Sequence, residues 1–279
     1  MTTTTITTHA VAVAQPSDPS RLRVFRAAAR AEWTKMRSVR STTWTLLVAI
    51  GLAIGFSALV GATQVNSWDT LDPAERARFD PTSFSLSGLF LAQLAIGVLG
   101  VLMVTSEYAT GQIRATLAAT PQRLTVLAAK ATSFVGVVFV VGLVMSFGAF
   151  GVGQAVLSSG GIEASLNDPG ALRAVIGGAL YLAAVGVLGL GLGTIIRRTA
   201  GAITAFVGLL MILPVVTMFL PASWNENVAK YFPARAGMAV FNVVPDPTSL
   251  SPWTGFAVLL AYAAVALLAG GLLLARHDA

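Results

Sequence analysis

The chain is patterned by long stretches from which Asp, Glu, Lys and Arg are absent. Six of them, Thr42–Thr63, Phe84–Thr105, Ala131–Leu157, Ala174–Ile196, Thr199–Leu220 and Thr254–Ala275, are each at least 22 residues long. At ~1.5 Å of rise per residue, a helix of 22 residues reaches roughly 33 Å, enough to cross a hydrocarbon core ~30 Å thick. The pattern predicts an all-α, polytopic integral membrane protein with six transmembrane helices over those segments.

The region before the first stretch reads differently. Residues 1–16 are Thr-rich, without the basic flank and apolar core of a signal peptide, and are expected to be a disordered tail. Asp18 followed by Pro19 marks a helix start. Leu22, Phe25, Ala29, Trp33 and Met36 then recur at helical spacing. At ~100° per residue, Arg23, Arg26, Arg30 and Arg37 fall within an arc of roughly 60°. Residues 17–41 are therefore expected to form an amphipathic interfacial helix with an aromatic anchor at Trp33, ahead of a six-helix transmembrane domain over 42–279. Two readings of its arginine ridge stand: it fixes topology and touches anionic lipid, or it makes the helix a joint or docking surface for a cytoplasmic partner. Nucleic-acid binding ranks behind both, because the basic surface is pinned beside a membrane.

Composition narrows the chemistry. Of 279 residues only 11% are charged, against ~25% in soluble domains, and mean hydropathy is +0.77. Cysteine is absent and the two histidines, His9 and His277, stand at opposite ends. Thiol chemistry, Cys-ligated metals, a His-based metal site and a Ser-His-Asp triad are thereby excluded or disfavoured, and neither a catalytic nor a metal-binding residue is expected. The loops sort by charge. Met1–Ser41, Ser106–Lys130, Arg197–Arg198 and the tail after Ala275 hold 13 Lys and Arg, whereas Gln64–Ser83, Ser158–Arg173 and Pro221–Trp253 hold 5. The basic set is expected to face the cytoplasm, with both termini inside.

The six stretches contain no ionisable residue, so a proton-coupled pump lacks its usual carrier. The chain also lacks the Gly-x-x-x-x-Gly-Lys-Ser/Thr phosphate loop. Sodium coupling through backbone carbonyls stays open; otherwise active transport is expected to draw its energy from another polypeptide. Polar residues inside the spans are few; among them Gln93 and Gln154 are read as interhelical hydrogen-bonding groups or, for Gln93, a contact with cargo. Pro214 is expected to kink or break the fifth span. Gly51 with Gly55, and Gly186, Gly189, Gly191 and Gly193, are read as close helix-packing positions, with a dimer contact as the alternative.

The loop between the second and third stretches reads Ser106-Glu107-Tyr108-Ala109-Thr110-Gly111-Gln112-Ile113-Arg114 and continues to Thr120-Pro121-Gln122-Arg123. Gly111 permits a sharp turn, Gln112–Ala119 suits two helical turns, and Thr120-Pro121 is expected to stop them. Such a projecting helix suits a lever for a cytoplasmic motor. With Lys130 opening the third stretch and Glu32-Trp33-Thr34-Lys35-Met36-Arg37-Ser38 preceding the first, the chain resembles the permease subunits of ABC-2 type exporters over essentially its whole length.

The resemblance implies a homodimer, or a pair with a close paralogue, working with an ATP-binding-cassette nucleotide-binding subunit that carries ATP and Mg. It places the chain in the cell's inner (plasma) membrane, in contact with lipid, with no cofactor of its own and no enzymatic activity. The implied cargo is a hydrophobic or amphipathic compound, drug, antibiotic or lipid-like, moved outward. By the same resemblance Gly111–Ala119 is the coupling helix, with Glu107, Gly111, Ile113 and Arg114 as its coupling residues, and Arg21–Arg37 packs beside the motor. Pro221–Trp253 would supply short outer or re-entrant helices, and Phe90, Gln93, Phe206 and Met211 would line the cargo path. An ion-gradient-driven secondary transporter and a non-transporting anchor or regulatory subunit are the competing readings.

Overall fold

A computed structural model describes residues 20–119, 122–217, 219, 221, 224, 227–244 and 248–276. The expected disordered tail, the Asp18-Pro19 helix start, the Thr120-Pro121 stop and both histidines lie outside them. Among the described residues there is no strand, and six helical segments are long and apolar enough to cross a membrane. In chain order the helices are α1 (Arg21–Ser38), α2 (Arg40–Ser67), the short α3 (Pro73–Ala77) and α4 (Pro81–Ser85), α5 (Leu89–Thr110), α6 (Gln112–Ala119), α7 (Arg123–Leu157) and α8 (Ala171–Ile196). The fifth candidate span, Thr199–Thr217, comprises α9 (Thr199–Val207), a π-helical turn (Gly208–Ile212) and α10 (Leu213–Thr217). Short α11 (Pro233–Met238) precedes the last span, α12 (Pro252–Arg276).

Helix boundaries depart from the charge-free stretches for identifiable reasons. The second span starts at Leu89 rather than Phe84. Asp80 caps α4 from outside, accepting from the Ser83 amide at 3.0 Å, with Pro81 in the first turn. The chain then turns through Gly88, whose amide donates to Ser57 Oγ at 3.0 Å. A Cβ on Gly88 would lie 1.7 Å from the Ala53 carbonyl oxygen, so only glycine passes there. At their other ends, α5 runs on to Thr110 and α7 begins at Arg123, which brings Glu107 and Lys130 inside helices. In the fifth span Pro214 has no amide to give, and the π-helical turn ends two residues before it, at Ile212.

The centre of the bundle is α8, packed on α5, α7 and α12; it is the most enclosed candidate span, and the first and fifth are the least. Its glycines explain the position. A Cβ on Gly189 would lie 2.3 Å from the Gly97 carbonyl oxygen of α5, and one on Gly191 would lie 2.7 Å from the Ala266 backbone of α12. With no hydrophobic drive between helices in lipid, such close backbone approach supplies the dispersion contact that holds them. Gly51 and Gly55 behave differently: both are exposed, and a Cβ on either would meet nothing within 4 Å.

The end of the bundle opposite α6 is stitched by polar side chains. The Asp80 carboxylate accepts from the amides of Val243 at 2.6 Å and Val244 at 3.0 Å. The Arg173 guanidinium donates to the carbonyls of Val240 and Asn242 at 2.8 and 2.9 Å. Gln154 donates to the Pro81 carbonyl and accepts from the Ala164 amide, so its hydrogen bonds tie the end of α7 to the segments around it.

Gly97 offers a direct test of this packing, since a Cβ there would lie 1.7 Å from Phe206 Cζ. Gly97→Ala is expected to destabilise the detergent-solubilised protein by about 1–3 kcal/mol in thermal unfolding, and Phe206→Leu in the same chain to recover part of it. Gly51→Ala, into open space, is expected to leave the melting temperature unchanged or slightly raised.

Candidate functional site

Four charged side chains from three helices meet at the α6 end of the bundle. Lys130 Nζ, in the second turn of α7, donates to Glu32 Oε1 of α1 at 2.7 Å and to Glu107 Oε1 of α5 at 2.8 Å. Lys35 of α1 pairs with the same Glu107 oxygen. Local structure sets this up. Glu32 and Lys35 are three residues apart on a helix and so share a face, and both turn toward α7 and α5. That face lies about opposite the arginine ridge, which remains exposed at Arg23, Arg26, Arg30 and Arg37. Trp33, the expected aromatic anchor, is 52% exposed, whereas its neighbour Glu32 is buried.

The energetics follow from burial. The side chains of Lys130 and Glu107 are each 3% exposed, that of Glu32 9%, and only Lys35 reaches solvent at 37%. Two positive and two negative groups give no net charge. Each desolvated ion is therefore tolerable only while its partners stay in place. Glu32 Oε2 and Glu107 Oε2 are buried without a hydrogen-bond partner among the described residues. The six charge-free stretches stop short of the helix ends: Glu107 and Lys130 stand just outside them, yet both lie in helices that qualify as candidate spans, and their mutual neutralisation offsets the cost of burying them.

Glu107 is four residues from Gly111, where the backbone turns left-handed at φ 72° and α5 ends. The expected two-turn helix, α6, starts at the next residue. It keeps Ile113 buried at 6% exposure and Arg114 exposed. Of the four residues expected to couple to a partner, Arg114 and Gly111 are open to one, while Ile113 and Glu107 anchor the root of α6. Two further arginines collar the cluster. Arg123 and Arg197 donate at 3.0 Å to the carbonyls of Leu274 and Leu273 near the end of α12, where cations meet the negative end of the helix dipole. The Arg197 guanidinium also lies 5.4 Å from the Tyr108 ring centroid.

The opposite end holds a cavity of about 400 Å³ lined by Phe90, Leu210, Pro214, Thr217, Phe232 and Arg235, among others. It adjoins the π-helical turn of the fifth span. Of the four residues expected along a cargo path, Phe90 lines this cavity and Met211 is half-buried in the π turn. Gln93 and Phe206 are fully buried instead. Gln93 Oε1 accepts from the Tyr181 hydroxyl of α8, an interhelical hydrogen bond, and Phe206 fills the notch left by Gly97. Within one chain neither faces open space.

Sequence reasoning missed Glu32, Lys35 and Lys130 as members of one site, although the signal was present. Opposite charges stand at the edges of three apolar segments, and two of them are spaced to share a helix face. Comparison with models of known protein families and with curated proteins finds no match.

Lys130→Met leaves the buried Glu32 without its cation and Glu107 with Lys35 alone, and is expected to cost about 3–5 kcal/mol of stability, read as a lower melting temperature and a smaller folded yield in detergent. The compensated variant Glu32→Gln/Glu107→Gln/Lys130→Met is expected to melt closer to the wild type than Lys130→Met does.

Proposed function

We propose that the chain is the transmembrane permease subunit of an ATP-binding-cassette exporter of the ABC-2 type. It moves a hydrophobic or amphipathic compound outward, with ATP and Mg bound and hydrolysed on a separate nucleotide-binding subunit. The observation that carries this reading is α6. It is a short helix between two candidate spans, begun by a left-handed glycine, exposing Arg114 and rooted in a buried charge cluster. A helix presented this way suits a surface on which a motor presses. The six spans supply the body to be reoriented.

In this reading α6 lies at the cytoplasmic end, as the bias of Lys and Arg toward loops on that side supports, and both termini are cytoplasmic. Helix α1 lies along the inner leaflet of the plasma membrane with its arginine ridge turned to anionic headgroups. The complete transporter contains two permease subunits, identical or closely related, and two motors. Nucleotide-driven closure of the motors pushes α6 and shifts the population of inward- and outward-facing states. The apolar cavity beside the π turn suits the outward release of an apolar or amphipathic molecule. No residue of the chain performs covalent chemistry.

Affinity capture of the full chain from its native membranes is expected to bring down an ATPase subunit with phosphate-loop sequence; capture of a partner set without one would overturn the assignment. In the complex, Arg114→Ala is expected to lower export by about tenfold or more while ATP hydrolysis continues. Export that keeps pace with hydrolysis in that variant would remove Arg114 from the transmission path.

A further inference from the structure

Helix α1 packs on the bundle through an apolar strip and a set of charged arms. It joins α2 through one non-helical residue, Val39, in extended conformation at φ −83° and ψ 103°. Its buried residues are Glu32 and Met36, and its packing is chiefly on α7. A hydrogen bond from Ser133 Oγ to the Ala29 carbonyl at 3.3 Å adds to this. Val24, Phe25, Ala28 and Ala29 are half-buried, and two charged arms join Glu32 to Lys130 and Lys35 to Glu107.

We propose that α1 and the root of α6 form a single mechanical unit clamped by this quartet, so that a partner pressing on either one moves both. Glu107 makes the clamp bilateral. It sits in the last turns of α5, four residues before the Gly111 pivot of α6, and it receives both the α7 lysine and the α1 lysine on one oxygen. Any swing of α6 that drags the end of α5 therefore acts on α1 directly. Because the ions are desolvated, separating one arm leaves a buried charge unpaired. The clamp accordingly resists gradual stretching and yields as a whole, the behaviour expected of a two-position element. The clamp itself is independent of what the protein transports; its role in passing force from a motor rests on the ATP-driven reading above.

The absence of native cysteine makes the test clean. Spin labels at Ala31→Cys on α1 and Ala115→Cys on α6, both exposed, report the distance between the two helices in the full chain reconstituted in nanodiscs. A single narrow distance distribution is expected. Glu32→Gln/Lys35→Met removes both α1 arms without changing net charge and leaves the Lys130–Glu107 pair intact. It is expected to broaden or split the distribution while the melting temperature of the bundle stays near wild type. Glu32→Gln alone, which keeps the Lys35 arm, is expected to give an intermediate width, and provides the readout should the double variant fold poorly. Arg21→Gln, on the exposed side of α1, is expected to change nothing. A distribution that stays narrow in both clamp variants, or that broadens equally in Arg21→Gln, overturns the proposal. With the ATPase partner present, a several-fold fall in export per ATP in the double variant supports transmission through the clamp, and unchanged export refutes that role. Failure to export with any ATPase would sink the functional reading while the distances still decide the clamp.

Discussion

The arrangement at the α6 end depends on one constraint: Lys130 and Glu107 are buried in apolar helices and are bearable there only as partners. That requirement fixes the register between the end of α5 and the start of α7. It gives α6 a defined root, and it draws in α1 through Glu32 and Lys35. Such ion clusters add little net stability compared with well-packed apolar groups, but they penalise every alternative arrangement that separates them. Here the penalty falls on misplacing the helices that the proposed motor would touch.

The rest of the bundle is held in a different way. Around α8, glycines bring helix backbones into direct contact with α5 and α12. The end opposite α6 is knit by Asp80, Arg173 and Gln154, which tie the segment from Val240 to Val244 and the start of α4 to the spans. Between these two regions the fifth span is thinly enclosed and contains a π turn next to Pro214. A rigid centre, a pinned far end and one interrupted peripheral helix beside an apolar cavity leave the fifth span as the element with least to lose by moving.

The number and order of spanning helices were legible in the sequence because absence of charge over 22 residues has one economical physical explanation. The same criterion misplaced boundaries where its premise failed. It cut α5 at Thr105 and started the third span at Ala131, since it treats every charge as a surface residue. Glu107 and Lys130 are instead paired with each other across the fold, a relation that no single segment carries. Gly88 and Asp80, which delay the second span to Leu89, act through Ala53, Ser57 and Val243, all distant in sequence. The two-turn helix after Gly111 was readable because a left-handed turn and a helix of that length are local matters. Gln93 and Phe206 fit a resemblance-based cargo path in sequence, but their partners Tyr181 and Gly97 fill the space that cargo would need within one chain.

We propose that this chain draws its energy for transport from a separate ATPase. The most direct test of that claim is reconstitution of the purified chain into sealed vesicles, with and without a cognate ATP-binding-cassette subunit, measuring accumulation of a fluorescent amphipathic probe against its gradient. ATP-dependent accumulation is expected with the partner, none with the chain alone, and none with a hydrolysis-dead partner. Accumulation by the chain alone, driven by an imposed proton or sodium gradient, would contradict the claim.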